Sequence, residues 1–398
     1  MRPATAILVG LNLMLFTVGI GLYIHKGNVV KTPPPIVQQQ PENPVSPIPP
    51  DVVKPPISFT IASPRPSYMN YAATVAKLKE WNNQAPELTE VGTYGKTSRG
   101  QDIYYLRIYN KRNTGEKPRV LLTACIHGNE PLASSTVMWW TGTMLESYSK
   151  DESIRKLLDE RDIYIVPVVS PDSYPSSRHV NGVDPNRDFP GPSRPNHQSK
   201  PPVAAIQGFF HKISPNAVIS GHTWGRVYLT PYGDKMAHSE NKEDYDRIVG
   251  QMKTLSGYRM IRACDMYGPG GGLNNPPIKA GIEEHDGEET QCSCMCRHMG
   301  LDGKYGTPIY GSEVDWYYRN KAFAIVMEFG THQRIPSDSD TKTEFDKTYT
   351  SALHFIKEAP LVQHKAPVSW DTRLPVWSED PPFVERRGKI GGGAVREE

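Results

Sequence analysis

Short apolar, β-branched runs alternate with helical stretches through the middle of this chain, and no other feature limits the fold as strongly. "DIYYLRIYN" (102–110), "VLLTACI" (120–126), "DIYIVPVVS" (162–170), "NAVISGH" (216–222) and "FAIVMEF" (323–329) read as strands. "YMNYAATVAKLKEW" (68–81), "PLASSTVMWWTGTMLESY" (131–148), "VAAIQGFFHKI" (203–213) and "KTEFDKTYTSALHFIKEA" (342–359) read as helices, the second with Pro131 at its first turn. Such alternation predicts one α/β domain around a largely parallel, twisted sheet flanked by helices. Ligands of these folds bind beyond the carboxyl ends of the strands. His127, His222 and Glu328 all fall at or just past such ends.

The 398 residues allow two or three domains by length, yet the pattern confines order to the middle. Residues 1–31 hold a stretch from Ala4 to Ile24 without a charged residue, long enough to cross a bilayer as a helix. It is expected to be an uncleaved single-pass anchor with the body outside the cytoplasm; a cleaved signal and a secreted protein is the alternative. Residues 32–66 are Pro-rich without hydrophobic period and predict an extended spacer. Residues 67–362 make up the folded domain, and 363–398 predict a Pro/Gly-rich, disordered tail. The net charge of +2, with acids and bases interspersed, leaves no footprint for nucleic acid.

Cys125 reads as a small buried hydrophobe inside the strand before His127. Cys264, Cys292, Cys294 and Cys296 lie in one region. Their spacing lacks the C-x-x-C loop of structural zinc sites, so disulfides stapling an insertion are expected over a metal tract.

Three candidate metal ligands emerge. His127 and Glu130 follow one strand in "HGNE", and His222 lies in "ISGHTWG" at the end of another. Two histidines and a glutamate suit a catalytic zinc ion, which takes three protein ligands and keeps a position open. His222 completes the set only if the two strand ends are neighbours. Between them "SPDSYPSSRHVNGVDPNRDFP" carries Arg178, Asn186 and Arg187. Arg187 offers a planar fork for a carboxylate, and Asn186 adds directional donors. Arg178 can face a developing oxyanion. Glu328 stands in an apolar strand, where a carboxylate is costly unless paired or functional, and beside a metal it can serve as a general base.

On these motifs the chain resembles the zinc metallocarboxypeptidases of the carboxypeptidase A and B type, the funnelins. The resemblance covers roughly residues 68–360, with "HGNE", "SPDSY…GVDPNRDFP", "ISGHTWGRVYLTPYG", "YGSEVDWYY" and "FAIVMEFG" in the family's order. It implies a mixed eight-stranded sheet flanked by helices, one zinc ion per chain, and hydrolysis of the last peptide bond of peptides with a free C-terminus. It implies His127, Glu130 and His222 as zinc ligands and Glu328 as the glutamate that activates water and passes its proton to the leaving amine. Arg178 matches the arginine that polarises the scissile carbonyl, although "SRHVNGVD" departs from the usual surroundings. Asn186 and Arg187 match the pair that clamps the terminal carboxylate, with Asp188 in place of a common Asn. The loop before Asp315 and Trp316 is short, which leaves Tyr310 as the nearest candidate for the family's mobile tyrosine. Val314 takes the pocket-floor position; an apolar floor disfavours terminal Lys or Arg, and Glu313 beside it reverses that if the register slips by one. The insertion from roughly Cys264 to Gly303 is expected over the funnel, and no propeptide is visible.

Other readings stay open at this point. Aspartoacylase-like amidohydrolases share "HGNE" and an "NR" motif, related enzymes trim peptidoglycan peptides, and a tethered module that kept the fold without the chemistry is the non-enzymatic alternative.

Overall fold

The computed structural model describes residues 57–113, 115–235, 237–266 and 309–365. The expected anchor, most of the expected spacer, Cys292, Cys294, Cys296 and nearly all of the C-terminal tail lie outside the described residues. Among the described residues no helix is long and apolar enough to cross a membrane.

In chain order the elements are α1 (Tyr71–Gln84), β1 (Thr89–Lys96), β2 (Asp102–Ile108), β3 (Arg119–Ala124), α2 (Pro131–Ser147), α3 (Glu152–Asp159) and β4 (Asp162–Val166). There follow α4 (Val203–Ile213), β5 (Ala217–Thr223), β6 (Val227–Thr230), α5 (Lys242–Ser256), β7 (Arg259–Arg262), α6 (Glu313–Arg319), β8 (Phe323–Phe329) and α7 (Asp338–Glu358). Local chemistry sets several helix starts. The Asn70 side chain accepts from the Ala73 N–H, Asp151 caps α3 from both Ser153 and Ile154, and Ser337 with Asp340 forms a capping box at α7.

The strands form one eight-stranded sheet in the order β1-β2-β4-β3-β5-β8-β6-β7. Pairs β3–β4, β3–β5, β5–β8 and β6–β7 are parallel, and β1–β2, β2–β4 and β6–β8 are antiparallel. The mixed, largely parallel sheet is therefore present. After β3 the chain turns to one side for β4 and then crosses to the other for β5. This reversal of strand order opens a crevice between the carboxyl ends of β3 and β5.

Side chains alternate across the sheet, and the alternation decides where polar groups go. One face carries Val120, Leu122, Ala217, Ile219, Phe323, Ile325, Met327 and Phe329 in the larger core cluster. The other carries Leu121, Val218, Ala324 and Val326 in a second cluster that includes Val314 and Trp316. On that second face, stepping by two along β5 and β8, stand Ser220, His222 and Glu328, all buried. Each apolar strand thus hands a polar residue to one end of one face.

Several details differ from the sequence reading. Cys125 does not sit inside β3, which ends at Ala124; it is buried with φ 54, and this left-handed step takes the chain off the sheet toward His127. β1 and β7 carry no apolar run because they are the sheet's outer strands, and nearly all of their residues are only partly buried. Residues 57–66, read as spacer, pack on the domain. Ile57 and Ile61 are buried in the larger cluster, Phe59 stacks on Tyr148, and Trp139 Nε1 donates to the Pro66 carbonyl.

Candidate metal centre and active site

His127 and Glu130 stand on the turn between β3 and α2, where the Glu130 N–H donates to the His127 carbonyl at 3.3 Å. Pro131 then opens α2 without needing a hydrogen bond of its own. His222, next to last in β5, faces this turn because β3 and β5 are hydrogen-bonded neighbours. One ligand atom each from His127, Glu130 and His222 falls within 4.8 Å of the others, and all three residues are buried. His127 Nδ1 lies 2.9 Å from Glu130 Oε1, and His222 Nδ1 lies 3.0 Å from Glu130 Oε2. That Oε2 atom is buried and, among the described residues, makes no hydrogen bond despite the nearby nitrogen. A buried carboxylate oxygen left over between two imidazole nitrogens is the donor set a metal ion requires. Two nitrogens and a carboxylate suit zinc with an open position, so the residues fit the ion.

Carboxylates hold the rings from behind. His127 Nε2 lies 2.9 Å from Asp184 Oδ1, and His222 Nε2 lies 2.5 Å from Glu313 Oε1. Burial by itself raises the Asp184 carboxyl, but the His127 hydrogen bond and the charges of His127, Arg178 and Arg187 hold it well below the usual range. Burial likewise raises Glu130, and the two histidines reverse the sign. Burial lowers His222, while Glu130 and Glu313 raise it well above the ordinary histidine value.

Glu328 pairs in register with His222 across β5 and β8. Burial pushes its carboxyl up to about 8, with Glu130 and Glu313 adding to the rise and His222 and Arg178 opposing it. Its Oε2 has no hydrogen-bond partner among the described residues. A buried carboxylate with an unused oxygen beside a metal group is equipped for proton transfer.

Arg178 reaches the same place. Its Nη1 is 3.9 Å from Glu130 Oε1, while Nε and Nη2 bind Asp184 Oδ2 at 3.0 and 2.9 Å. The tight turn at Asn181 (φ 50) and Gly182 (φ 79) makes this possible, because it closes a bridge between Val180 and Val183 and folds Arg178 back on Asp184. Asn186 and Arg187 follow on a short 3-10 turn whose start Asp184 caps. The Arg187 guanidinium donates to the Asn186 carbonyl at 2.7 Å. Asn186 Oδ1 accepts from the backbone N–H of Glu313 at 2.8 Å, which ties this turn to α6.

Val314 is buried in the second core cluster, and Tyr310 is 38% exposed on the turn before α6. Neighbouring Gly311 (φ 70) packs against the Arg187 carbonyl so closely that a Cβ would fall within 2.5 Å of it. A cleft of about 490 Å³, lined in part by Arg99, Asp172, Ser177 and His179, opens beside the Arg178 turn. Sequence reasoning missed Asp184 and Gln333, whose Nε2 donates to Glu130 Oε1 at 3.1 Å. Asp184 stands directly before Pro185-Asn186-Arg187, but its contact with His127 spans 57 residues of chain and leaves no local pattern. Gln333 carries none in its neighbours.

Residues 74–351 match the family model described as zinc carboxypeptidase. The chain belongs to the zinc carboxypeptidase family. Zinc is the metal of this family, in agreement with the His-Glu-His donor set. Carboxypeptidase A2 of Mus musculus is 27% identical over 208 residues, which cover 42% of this chain and 50% of the relative. Carboxypeptidase E of Caenorhabditis elegans is 32% identical over 142 residues, 31% of this chain and 30% of the relative. The zinc carboxypeptidase of Saccharothrix mutabilis subsp. capreolus is 24% identical over 261 residues, 52% of this chain and 58% of the relative. The chain thus spans about half the length, or less, of these curated relatives. Among solved structures, thrombin activatable fibrinolysis inhibitor superposes with a TM-score of 0.58 at 16% identity, covering 78% of each chain. Carboxypeptidase A from Helicoverpa armigera gives 0.56 at 16% identity, covering 75% of each. At these identities the structures speak for the zinc carboxypeptidase fold alone.

Proposed function

We propose that this protein is a zinc-dependent carboxypeptidase that removes the last residue of peptides with a free C-terminus. The carrying observation is the convergence of His127, Glu130 and His222 within 4.8 Å at the crevice between β3 and β5, with Glu328 next to His222 in register. When bound by these three side chains, zinc supplies Lewis acidity to the scissile carbonyl and to water.

The chain's own residues do the rest. Asn186 and Arg187 donate to the substrate's terminal carboxylate and so fix which peptide bond lies in the site. Arg178, held by Asp184, donates to the carbonyl oxygen as negative charge builds on it. Glu328 takes a proton from the attacking water at its carboxylate oxygen and delivers it to the amine nitrogen as the C–N bond breaks. The water's oxygen ends in the new carboxylate, and the amine leaves as a free amino acid. Val314 contributes an apolar wall to the pocket for the terminal side chain, and Tyr310 closes the site from the turn before α6. The match to the zinc carboxypeptidase model lends less support to the aspartoacylase-like alternative.

The reading is tested by incubating the full chain with a mixed peptide library and with cell-wall muropeptides, with zinc or with a chelator, followed by mass spectrometry. Loss of single C-terminal residues that stops on chelation and resumes with zinc is expected. Cleavage that persists through chelation, or none with zinc restored, would refute it.

A further inference from the structure

Both histidines of the metal group are backed by a carboxylate at the ring nitrogen that faces away from it. Asp184 serves His127 and Glu313 serves His222, at 2.9 and 2.5 Å. Glu313 is wholly buried, at 0% exposure. Its Oε1 also accepts from the Ser220 hydroxyl at 2.7 Å, and its Oε2 has no hydrogen-bond partner among the described residues. Its backbone N–H meanwhile donates to Asn186 Oδ1 at 2.8 Å. Glu313 therefore touches a residue of the metal group and a residue of the proposed carboxylate clamp at once. A carboxylate with one oxygen unsatisfied is a costly choice for a position between Ser312 and Val314 at the start of a buried helix. An apolar residue would pack there at lower cost, so a role in packing does not account for it.

We propose that Glu313 is a positioning residue of the metal centre, holding the His222 proton on Nε2 so that Nδ1 is left to bind zinc, and presenting the Asn186 amide to substrate. The first half follows from hydrogen-bond chemistry. Nε2 can approach a carboxylate oxygen at 2.5 Å only as a donor. The tautomer is thereby fixed, and a carboxylate behind a ligating imidazole makes it a stronger donor to the metal. The second half follows from the same rule at Asn186. A backbone N–H can only donate, so the amide oxygen is the end that faces Glu313, and Nδ2 is left to donate to a terminal carboxylate. This inference rests on the zinc carboxypeptidase reading above.

The test compares zinc affinity in the full-length wild type, Glu313→Gln and Glu313→Ala by competition with a chromophoric chelator. Melting of the zinc-stripped proteins serves as the control for folding. Gln keeps an oxygen to accept from His222 but loses the charge, whereas Ala loses both. Zinc should be held about 10- to 100-fold less tightly by the Ala variant, with Gln between it and wild type. The visible spectrum of the cobalt-substituted protein should shift in the same order. If Ala does not fold, the isosteric Gln variant decides by the same measures. Zinc affinity within about twofold of wild type in every folded variant overturns the proposal. A change confined to which C-terminal residue is preferred overturns it as well, since that would make Glu313 a wall of the substrate pocket. A wild-type protein that binds no zinc refutes the zinc carboxypeptidase reading itself, and this proposal with it.

Discussion

Glu328 shows how one residue acquires chemistry from its position. It stands next to last in β8, on the face that carries His222, and every neighbour along the strand is buried. Withdrawn from water, its carboxyl rises to about 8, which sets it apart from a solvent-exposed glutamate as carboxylates at functional sites are set apart. Glu328→Gln removes the carboxyl's capacity to carry a proton while keeping shape and burial. Its kcat should fall by about 10²- to 10⁴-fold with zinc still bound at one per chain, as read by steady-state kinetics and metal analysis. A variant with wild-type kcat would remove Glu328 from the mechanism. At this scale His127, Glu130, His222 and Glu328 were legible in the sequence, because each is a polar residue ending or following an apolar strand. Asp184 and Glu313 were not legible as partners of the histidines. Their roles depend on contacts 57 and 91 residues away along the chain, and no local pattern encodes such a distance.

At the scale of elements, the Arg178 turn is the most exposed to test. Asn181 and Gly182 both take positive φ, and the Val180 and Val183 backbones exchange hydrogen bonds across them at 2.9 and 3.0 Å. Asn-Gly is the pair that adopts this turn at least cost. The space around Gly182 is open, with no atom within 4 Å of a Cβ, so Gly182→Ala isolates backbone strain from steric clash. It should destabilise the fold by about 1 kcal/mol and loosen the Arg178–Asp184 contact. The check is chemical denaturation together with kcat/KM, which should fall while zinc content is unchanged. Unaltered stability and kcat/KM would show that the turn does not hold Arg178. The central strands β3, β4, β5 and β8 were legible because burial on both faces leaves continuous apolar runs. Partial burial without an apolar run hid β1, and a length of four residues hid β6 and β7.

Across the folded domain, segments from both ends of the described chain close over the core. Residues 57–66 lie along α2, where the Pro64 carbonyl packs directly on Gly142, and residues 363–365 bind Asn241. His364 lies against Tyr318, with ring centroids 4.6 Å apart and the planes tilted by 45°. Burial, reinforced by Lys321, lowers its pKa from the ordinary histidine value to about 4. A depressed histidine contributes stability that is present above about 6.5 and is lost as pH falls through 4. His364→Phe keeps a ring against Tyr318 and removes the titration. Its melting temperature should therefore change less between pH 7 and pH 4 than that of wild type, and parallel curves would contradict this. The α/β class was readable from alternation alone, whereas this closure was not, because "PISFTIASPRP" resembles the spacer before it in composition.

The central claim is that a zinc site and a carboxylate clamp together remove one residue from a free C-terminus. Mass spectrometry of one peptide and its C-terminal amide, each incubated with the zinc-loaded protein, tests it most directly. The free acid should lose its last residue, the amide should persist, and a chelator should stop the reaction. Equal cleavage of both peptides, an internal cut, or no cleavage of the free acid would contradict the account.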